Sequence, residues 1–244
     1  MRFFAGATVL LLTACWTLTA QMALDVPSTD RLTYDIEWRL IHAGSAIVDT
    51  QKTSARLKLE SAGMVSSLFK VNDAYGVTYD EPFCATSSTL DAQEGKRHRE
   101  TRVVYDRTKN RADYVERDLV KNTVLHTYDT SIPNCVHDVL GALISLRGLT
   151  LNPGQTAQMP VSDGHKSASV KVEAQEREEI KTPTGTYKTI RCETFLMNGV
   201  VYNRKGRVFI WVTDDARRLP VQIQLRMSFP VGTVTLHLLK EEKL

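Results

Sequence analysis

Apolar and polar residues alternate along most of the chain, starting at residue 32. In Leu32–Leu40 every second residue is Leu, Tyr, Ile or Trp, and the residues between them are Thr, Asp, Glu and Arg. Side chains point to opposite faces of a β-strand with a period of two, so this pattern predicts a strand with one buried face. The same period recurs in most of the segments that follow, including Arg97–Tyr105 and Val221–Phe229.

These segments together predict an all-β fold with a mostly antiparallel sheet. Asp163-Gly164 lies between two alternating runs and is a strong signal for a β-hairpin turn. Polar residues on alternate positions indicate a sheet with one solvated face, which suits an antiparallel arrangement. We therefore expect a dozen or so strands in a strongly curved sheet or open barrel.

One segment has the period of a helix. Cys135–Arg147 carries a stripe of Val and Leu at helical spacing, Asn134 is a candidate N-cap, and Gly148 follows as a stop. An amphipathic helix among strands has to bury its apolar stripe, so we expect it to pack on the sheet. Val65–Lys70 predicts a second, single helical turn.

The first residues are predicted to be an export signal. Met1-Arg2 precedes a short apolar run, Phe3–Leu12, that is too short to span a membrane. Cleavage after Ala20 predicts a signal peptide at residues 1–20 and a single β domain at residues 21–244. Alternatively, Leu12–Cys15 resembles a bacterial lipoprotein box, in which residues 1–14 are removed and Cys15 is lipidated. Both alternatives place the protein outside the cytoplasm, in the periplasm or secreted.

Export changes the interpretation of the cysteines, since oxidising compartments permit disulfides. Cys84 and Cys135 both lie at the ends of predicted elements, where loops can bring them together, and we predict that they pair. Cys192 lies within an apolar strand and is predicted to be a buried free thiol. The cysteines are far apart in sequence, so we expect no zinc site.

Composition and charge exclude several classes of function. The formal net charge of +3 arises from 31 basic and 28 acidic residues, which does not suit a nucleic-acid-binding protein. The chain has six histidines, but no two are spaced to bind a metal from one helical face. We therefore expect no cofactor, no metal and no transmembrane span in the mature chain.

Two groups of residues have chemistry that a hydrolase could use. His137 and Asp138 are adjacent in the predicted helix, and Asp214–Arg218 is a dense charged segment before Pro220. Adjacent helical residues point about 100° apart, so the first pair is poorly placed for joint catalysis. The second is explained by a tight turn in which Asp accepts backbone N–H bonds. We favour structural roles for both, and a hydrolase is the third hypothesis.

Large apolar side chains form the remaining candidate site. They either fill a core, which is the default, or line a cleft for an acyl chain or another apolar ligand. The candidate ligand-binding residues are Trp38, Phe69, Leu143, Leu146, Phe209 and Trp211. Our leading hypothesis is a non-enzymatic envelope protein that binds a hydrophobic ligand or a lipidated partner. The second is a structural or assembly module that binds another envelope protein through a sheet edge or apolar patch.

Several motifs resemble those of a family of bacterial exported proteins, the domain of unknown function 3108. The motifs that carry the resemblance are Leu32–Trp38, Cys135–Leu143 with Leu146-Arg147, Pro153–Gln155, Ser162–Lys166, Thr184–Thr189, Ile210–Asp215 and Arg218–Val221. The family has no assigned activity, so the resemblance implies export but no site. The order of elements is also similar, more loosely, to periplasmic lipoprotein carriers, which implies an open barrel with a hydrophobic cavity.

Overall fold

Residues 29–80, 83–195, 206–228 and 231–244 are described by the structure, a computed structural model. The predicted signal peptide and the alternative lipidation site Cys15 lie outside the described residues. Within the described ranges the chain forms fourteen strands and two helices. The strands are Asp30–Trp38 (β1), Ile41–Thr50 (β2), Ser54–Ser61 (β3), Val71–Asp80 (β4), Cys84–Glu94 (β5), Arg97–Asp106 (β6), Arg111–Asp118 (β7), Thr123–Ser131 (β8), Thr156–Ser162 (β9), Ser167–Thr182 (β10), Gly185–Thr194 (β11), Gly206–Thr213 (β12), Pro220–Met227 (β13) and Thr233–Lys243 (β14). The helices are Gly63–Leu68 (α1) and Val139–Leu146 (α2).

All fourteen strands belong to one antiparallel sheet, which confirms the predicted fold class. Their order is β8-β7-β6-β5-β4-β3-β2-β1-β14-β13-β12-β11-β10-β9. Strands that follow each other in sequence are neighbours, except where the chain crosses from β8 to β9. The first and last strands, β1 and β14, pair in the middle of the sheet, so the two edges are β8 and β9.

One continuous face of this sheet is apolar. Ile223 lies opposite Ile210, Ile210 lies opposite Cys192, and Cys192 lies opposite Ala174, so the register carries apolar side chains from strand to strand. The same face continues through β14, β1 and β2, where Tyr34 pairs with Leu238 and Ala46. The period of two in the sequence thus places the core on the inner side of a curved sheet.

The two edges of the sheet are joined by side-chain and turn contacts. Gly164, in the turn between β9 and β10, lies so close to β6 that a Cβ atom there would be 2.5 Å from Val103. Tyr105 donates a hydrogen bond to the carbonyl of Ser162 at 3.2 Å, and Thr130 donates to the carbonyl of His165 at 2.9 Å. The sheet is therefore rolled so that its first half and its last hairpin touch without a strand ladder.

Helix α2 begins four residues later than the sequence predicted. Residues 135–147 were expected to be helical, but His137 forms a parallel bridge with Val161 and the helix starts at Val139. His137 N–H donates to the carbonyl of Pro160 at 2.9 Å, and the Val136 carbonyl accepts from Ala85 N–H at 2.8 Å. These bonds hold the segment in an extended conformation between β9 and β5.

The structure contains the predicted disulfide between Cys84 and Cys135, and Cys192 is a buried free thiol as predicted. The disulfide joins the first residue of β5 to the extended segment that precedes α2. On the other side of α2, Arg147 donates to Asp30 at 2.7 Å, and both side chains are almost fully buried. Both ends of the helix are therefore tied to the sheet.

We predict that Cys84→Ser/Cys135→Ser lowers the free energy of unfolding by about 4 kcal/mol, from the chain-entropy model for a long closed loop. The cysteines are 51 residues apart, so the unfolded chain gains much freedom when the bond is lost. Urea unfolding measures the difference. Reductant should destabilise the wild type and leave the double variant unchanged. Non-reducing mass mapping that finds both cysteines free would contradict the prediction.

Candidate functional site

A cavity of about 640 Å³ lies between α2 and the inner face of the sheet, and it is open to solvent. This volume falls within the range of about 300–1,000 Å³ that is typical of small-molecule sites. The side chains around it are mostly aliphatic. The lining residues are Leu57, Leu59, Asp73, Tyr75, Leu90, Glu94, Val139, Leu140, Ala142, Leu143, Leu146, Met159, Val161, Val170, Val172, Thr194, Val208, Ile210, Ile223 and Leu225.

Strand alternation builds the wall of this cavity. Val208 and Ile210 face inward from β12, and their pairing partners Leu225 and Ile223 continue the wall on β13. Across the cavity, α2 presents Leu143, which is partly buried. The helix thus occupies only part of the space that the curved sheet encloses.

The polar lining groups include two acidic residues near one end of their strands. Asp73 is the third residue of β4, and Glu94 is the last residue of β5. Burial, followed by the charge of Glu94, raises the pKa of Asp73. Asp73 also accepts a hydrogen bond from the backbone N–H of Gln93 at 2.9 Å. Two carboxylates therefore give this end of an otherwise apolar cavity a negative character.

Asp138 is fully buried beside the cavity and organises the start of α2. Its carboxylate accepts hydrogen bonds from Leu140 N–H at 2.9 Å and Gly141 N–H at 2.8 Å, and from the Tyr75 hydroxyl at 2.7 Å. Burial raises the pKa of Asp138, and these hydrogen bonds oppose that shift. This N-cap satisfies backbone donors that the helix leaves free and links α2 to β4.

The imidazole of His137 bonds to a backbone carbonyl, and the charge of Asp138 partly opposes the effect of burial on the pKa of His137. Its Nδ1 atom donates to the carbonyl of Phe83 at 2.8 Å, and the Ser145 hydroxyl oxygen lies 3.3 Å from the same nitrogen. Because Nδ1 carries the proton for the Phe83 carbonyl, it does not accept a proton from Ser145. Burial lowers the pKa of His137.

The charged segment Asp214–Arg218 forms the turn between β12 and β13. Asp215 accepts the Thr213 hydroxyl at 2.6 Å and the Arg217 N–H at 3.0 Å, and Asp214 accepts from Arg177 at 2.7 Å. These bonds are those of the tight turn that the sequence indicated. Across the ranges that the structure describes, no group of His, Cys, Asp and Glu is arranged to hold a metal ion.

The candidate ligand-binding residues divide into two groups. Leu143 and Leu146 line the cavity. Trp38, Phe69, Phe209 and Trp211 lie outside its wall: Trp38 donates to the Val231 carbonyl at 2.6 Å, and Phe69 is 51% exposed beside Gly95.

Phe209 and Trp211 point to the outer face of β12, opposite to Val208 and Ile210. Phe209 is covered there by the guanidinium groups of Arg191, Arg207 and Arg226, whose central carbons lie 4.7–5.6 Å from the ring centroid. Trp211 donates to Glu178 at 3.2 Å. Arginine stacking thus covers the Phe209 ring on the outer face of the sheet.

The candidates chosen from the sequence include only two of the residues that line the cavity, Leu143 and Leu146. It selected the largest side chains, whereas the cavity is lined mainly by medium-sized ones, such as Leu57, Leu59, Val170 and Val172. The available signal was the period of two itself. Once Tyr34 and Leu238 are placed inside, cross-strand register puts Val208 and Ile210 on the same face and the two aromatic residues of β12 on the other.

Comparison with known proteins gives a family and a fold. The family model described as "Protein of unknown function (DUF3108)" matches residues 33–239. No curated protein matches the chain in sequence.

Three solved structures align with this chain at low sequence identity. A β-barrel-like protein of domain of unknown function DUF1849 from Brucella abortus is 7% identical, with a TM-score of 0.56 over 90% of this chain and 99% of that chain. A DUF1089 family protein from Pseudomonas aeruginosa is 12% identical, with a TM-score of 0.41 over 75% of this chain and 90% of that one. A protein described as exported, with a YmcC-like fold, from Bacteroides fragilis is 8% identical, with a TM-score of 0.30 over 89% and 97%. The first of these shows a shared fold.

We predict that His137 makes stability depend on pH. Its pKa is lowered from 6.5 in the folded protein because its imidazole is buried, so the unfolded chain binds a proton first as the pH falls. The contribution of His137 to the free energy of unfolding should therefore decrease as the pH falls below 6.5, with a slope of at most about 1.4 kcal/mol per pH unit, while the raised pKa values of Asp138 and Asp73 act in the opposite direction. Urea unfolding as a function of pH measures it.

His137→Gln is the matched variant, because an amide N–H can donate to the Phe83 carbonyl and does not titrate. The slope below 6.5 should become smaller in this variant than in the wild type. Identical slopes in the two proteins would show that the imidazole is protonated equally in both states.

Proposed function

Because the chain belongs to the DUF3108 family, a family of unknown function, we propose its function from the cavity: it binds an apolar, acyl-type ligand between α2 and the sheet. The single observation that carries this proposal is the open cavity of about 640 Å³ with an aliphatic wall. An open space lined by Leu, Val and Ile favours a flexible hydrocarbon chain, since such a ligand gains its affinity from buried apolar area.

The two acidic residues favour a particular head group. Asp73 and Glu94 repel the carboxylate of a free fatty acid and can accept hydrogen bonds from a hydroxyl, amide or ammonium group. The raised pKa of Asp73 reflects this pair of carboxylates in partly buried surroundings. The proposed ligand is therefore an acyl chain with an uncharged or cationic head, a class that includes the lipidated end of a partner protein.

We further propose that the protein works outside the cytoplasm. The predicted signal peptide at residues 1–20 supports this location, with lipidated Cys15 as the alternative. The Cys84–Cys135 disulfide also supports it, because such bonds persist in oxidising compartments. Among the helices that the structure describes, neither is long and apolar enough to cross a membrane.

A second candidate function is an assembly module that binds another envelope protein. The observation that favours it is the position of β8 at an edge of the sheet, with mostly exposed side chains along Thr123–Ser131. An edge strand offers backbone donors and acceptors to a strand from another chain. A stoichiometric protein partner protecting β8 amides from hydrogen exchange, with no ligand in the cavity, would favour this function over ligand binding.

We predict that Leu143→Trp weakens binding of the uncharged fluorophore N-phenyl-1-naphthylamine by about tenfold or more, since the larger ring occupies space that the ligand needs. Leu239→Trp is the matched control, because Leu239 is 45% exposed on β14 and does not line the cavity. Fluorescence titration measures both affinities, and thermal unfolding verifies that each variant is folded. Equal affinity of a folded Leu143→Trp variant and the wild type would refute the cavity as the binding site.

Competition tests the head group. Monolauroylglycerol should displace the fluorophore at lower concentration than laurate, although the two acyl chains are identical. Asp73→Asn/Glu94→Gln should reduce that difference, because the negative charges are removed while the shape is kept. A preference for laurate in the wild type would contradict the assignment of the polar end.

A further inference from the structure

Four turns lie at one end of the first eight strands. In an antiparallel meander every second turn lies at the same end, so the segments 39–40, 62–70, 95–96 and 119–122 are neighbours. We call these four segments the hairpin rim. Backbone hydrogen bonds join them to one another or to adjacent strand ends: Ala62 N–H to the Ala43 carbonyl, Gly95 N–H to the Lys70 carbonyl and Leu119 N–H to the His98 carbonyl.

The hairpin rim concentrates exposed apolar side chains. In the described ranges twelve large apolar residues are exposed, and eight of them lie in the rim or within two residues of it. These eight are Leu40, Ile41, Met64, Leu68, Phe69, Leu119, Val120 and Val124. The turns 51–53 and 107–110, at the opposite end of the same strands, contain none of the twelve.

Leu40 illustrates that folding does not require these residues. It is 89% exposed and has a φ of 66°, a backbone conformation in which glycine or asparagine is favoured over leucine. Asparagine would satisfy the turn at lower conformational cost and leave no apolar side chain in water. A leucine at this position therefore indicates an interaction outside the fold.

Charge indicates which surface the rim meets. The four segments contain the cations Arg39, Lys70, Lys96 and Lys121 and no acidic residue. Within two residues of the segments, the window used for the apolar side chains, the chain adds two cations, Arg97 and Arg117, and four anions, Glu37, Glu60, Glu94 and Asp118, which leaves an excess of two positive charges. Exposed apolar side chains beside an excess of cations suit the boundary of a bilayer, where apolar side chains enter the acyl region and lysines meet anionic head groups.

We propose that the hairpin rim docks on an anionic lipid surface. Docking inserts the exposed side chains of Leu40, Met64, Leu68 and Phe69 among lipid chains and places the rim cations beside phosphate groups. Asp73 and Glu94 of the cavity lie within three residues of the rim along the chain, so the polar end of the cavity is near the docked surface. The proposal goes beyond ligand binding and does not depend on it.

Vesicle co-sedimentation tests the proposal with the chain purified after processing by its own host. Wild-type protein should bind vesicles of phosphatidylethanolamine and phosphatidylglycerol more tightly than vesicles of phosphatidylcholine, and added salt should weaken this preference. The variant Leu40→Asn/Met64→Gln/Leu68→Gln should lose about tenfold or more in the partition coefficient, because three apolar side chains no longer enter the bilayer. All three residues are at least 67% exposed, so the fold is expected to be kept.

The matched control is Val104→Thr/Leu239→Gln/Leu244→Gln, which removes three apolar side chains that are 45–55% exposed and lie away from the rim. It should bind like the wild type. Any contribution from residues outside the described ranges is common to every sample. Lys70→Gln/Lys96→Gln/Lys121→Gln should weaken binding to the anionic vesicles by about fivefold per charge at low salt and leave binding to phosphatidylcholine unchanged.

Three outcomes would overturn the proposal. They are wild-type binding no tighter than that of the rim variant, equal losses in the rim variant and the matched control, and a stoichiometric protein that covers the rim in place of lipid.

The ligand-binding proposal and the docking proposal can be tested independently of each other. The rim variant should bind N-phenyl-1-naphthylamine in solution like the wild type, and folded Leu143→Trp should bind vesicles like the wild type.

Discussion

The architecture depends on how the chain closes the space between β8 and β9, because these edges do not pair with each other. The extended segment 135–138 fills part of that space by bonding to Ala85 on one side and to Pro160 and Ser162 on the other. The disulfide of Cys135 links the segment covalently to β5, and the carboxylate of Asp138 caps the N-terminus of α2. Without this segment, the N-terminal end of α2 would lose its attachment to the sheet, and only Arg147 and Asp30 would tie the other end.

Asp138 and His137 are residue types that are common in active sites, and here their side chains make structural hydrogen bonds. Asp138 caps α2 and accepts a hydrogen bond from the hydroxyl of Tyr75. The imidazole of His137 donates a hydrogen bond to the backbone carbonyl of Phe83. Burial shifts the pKa of each group, as it does in many active sites, but a structural network produces the same shift. The buried pair Arg147–Asp30 has a similar role at the other end of α2.

Alternation along the chain was sufficient to predict the antiparallel sheet and most of its strands, and the Asp163-Gly164 pair predicted its hairpin, because these depend on local pattern. The alternating run Leu32–Leu40 extends past the end of β1 at Trp38, and Leu40 lies exposed in the turn that follows. The disulfide was predictable from the positions of Cys84 and Cys135 at element ends. The start of α2 was not, since a pairing with β9 that is distant in sequence overrides the helical pattern of residues 135–138. The cavity was not predictable either: whether an apolar interior is filled or open depends on the curvature of the sheet. The candidates Phe209 and Trp211 lie on the outer face of β12, where arginine side chains cover the Phe209 ring, and side-chain size alone did not indicate that face.

The pairing of β1 with β14 has a consequence for how the chain is connected. Asp30 lies opposite Lys243, and Leu244 N–H reaches the carbonyl of Thr29 at 3.4 Å, so the two ends of the described chain meet within the sheet. The true edges are in the middle of the sequence, at the crossing from β8 to β9. A circular permutant that joins residue 244 to residue 29 through a short linker and opens in that crossing would keep every strand pair, and its new termini would coincide with the natural borders of the sheet.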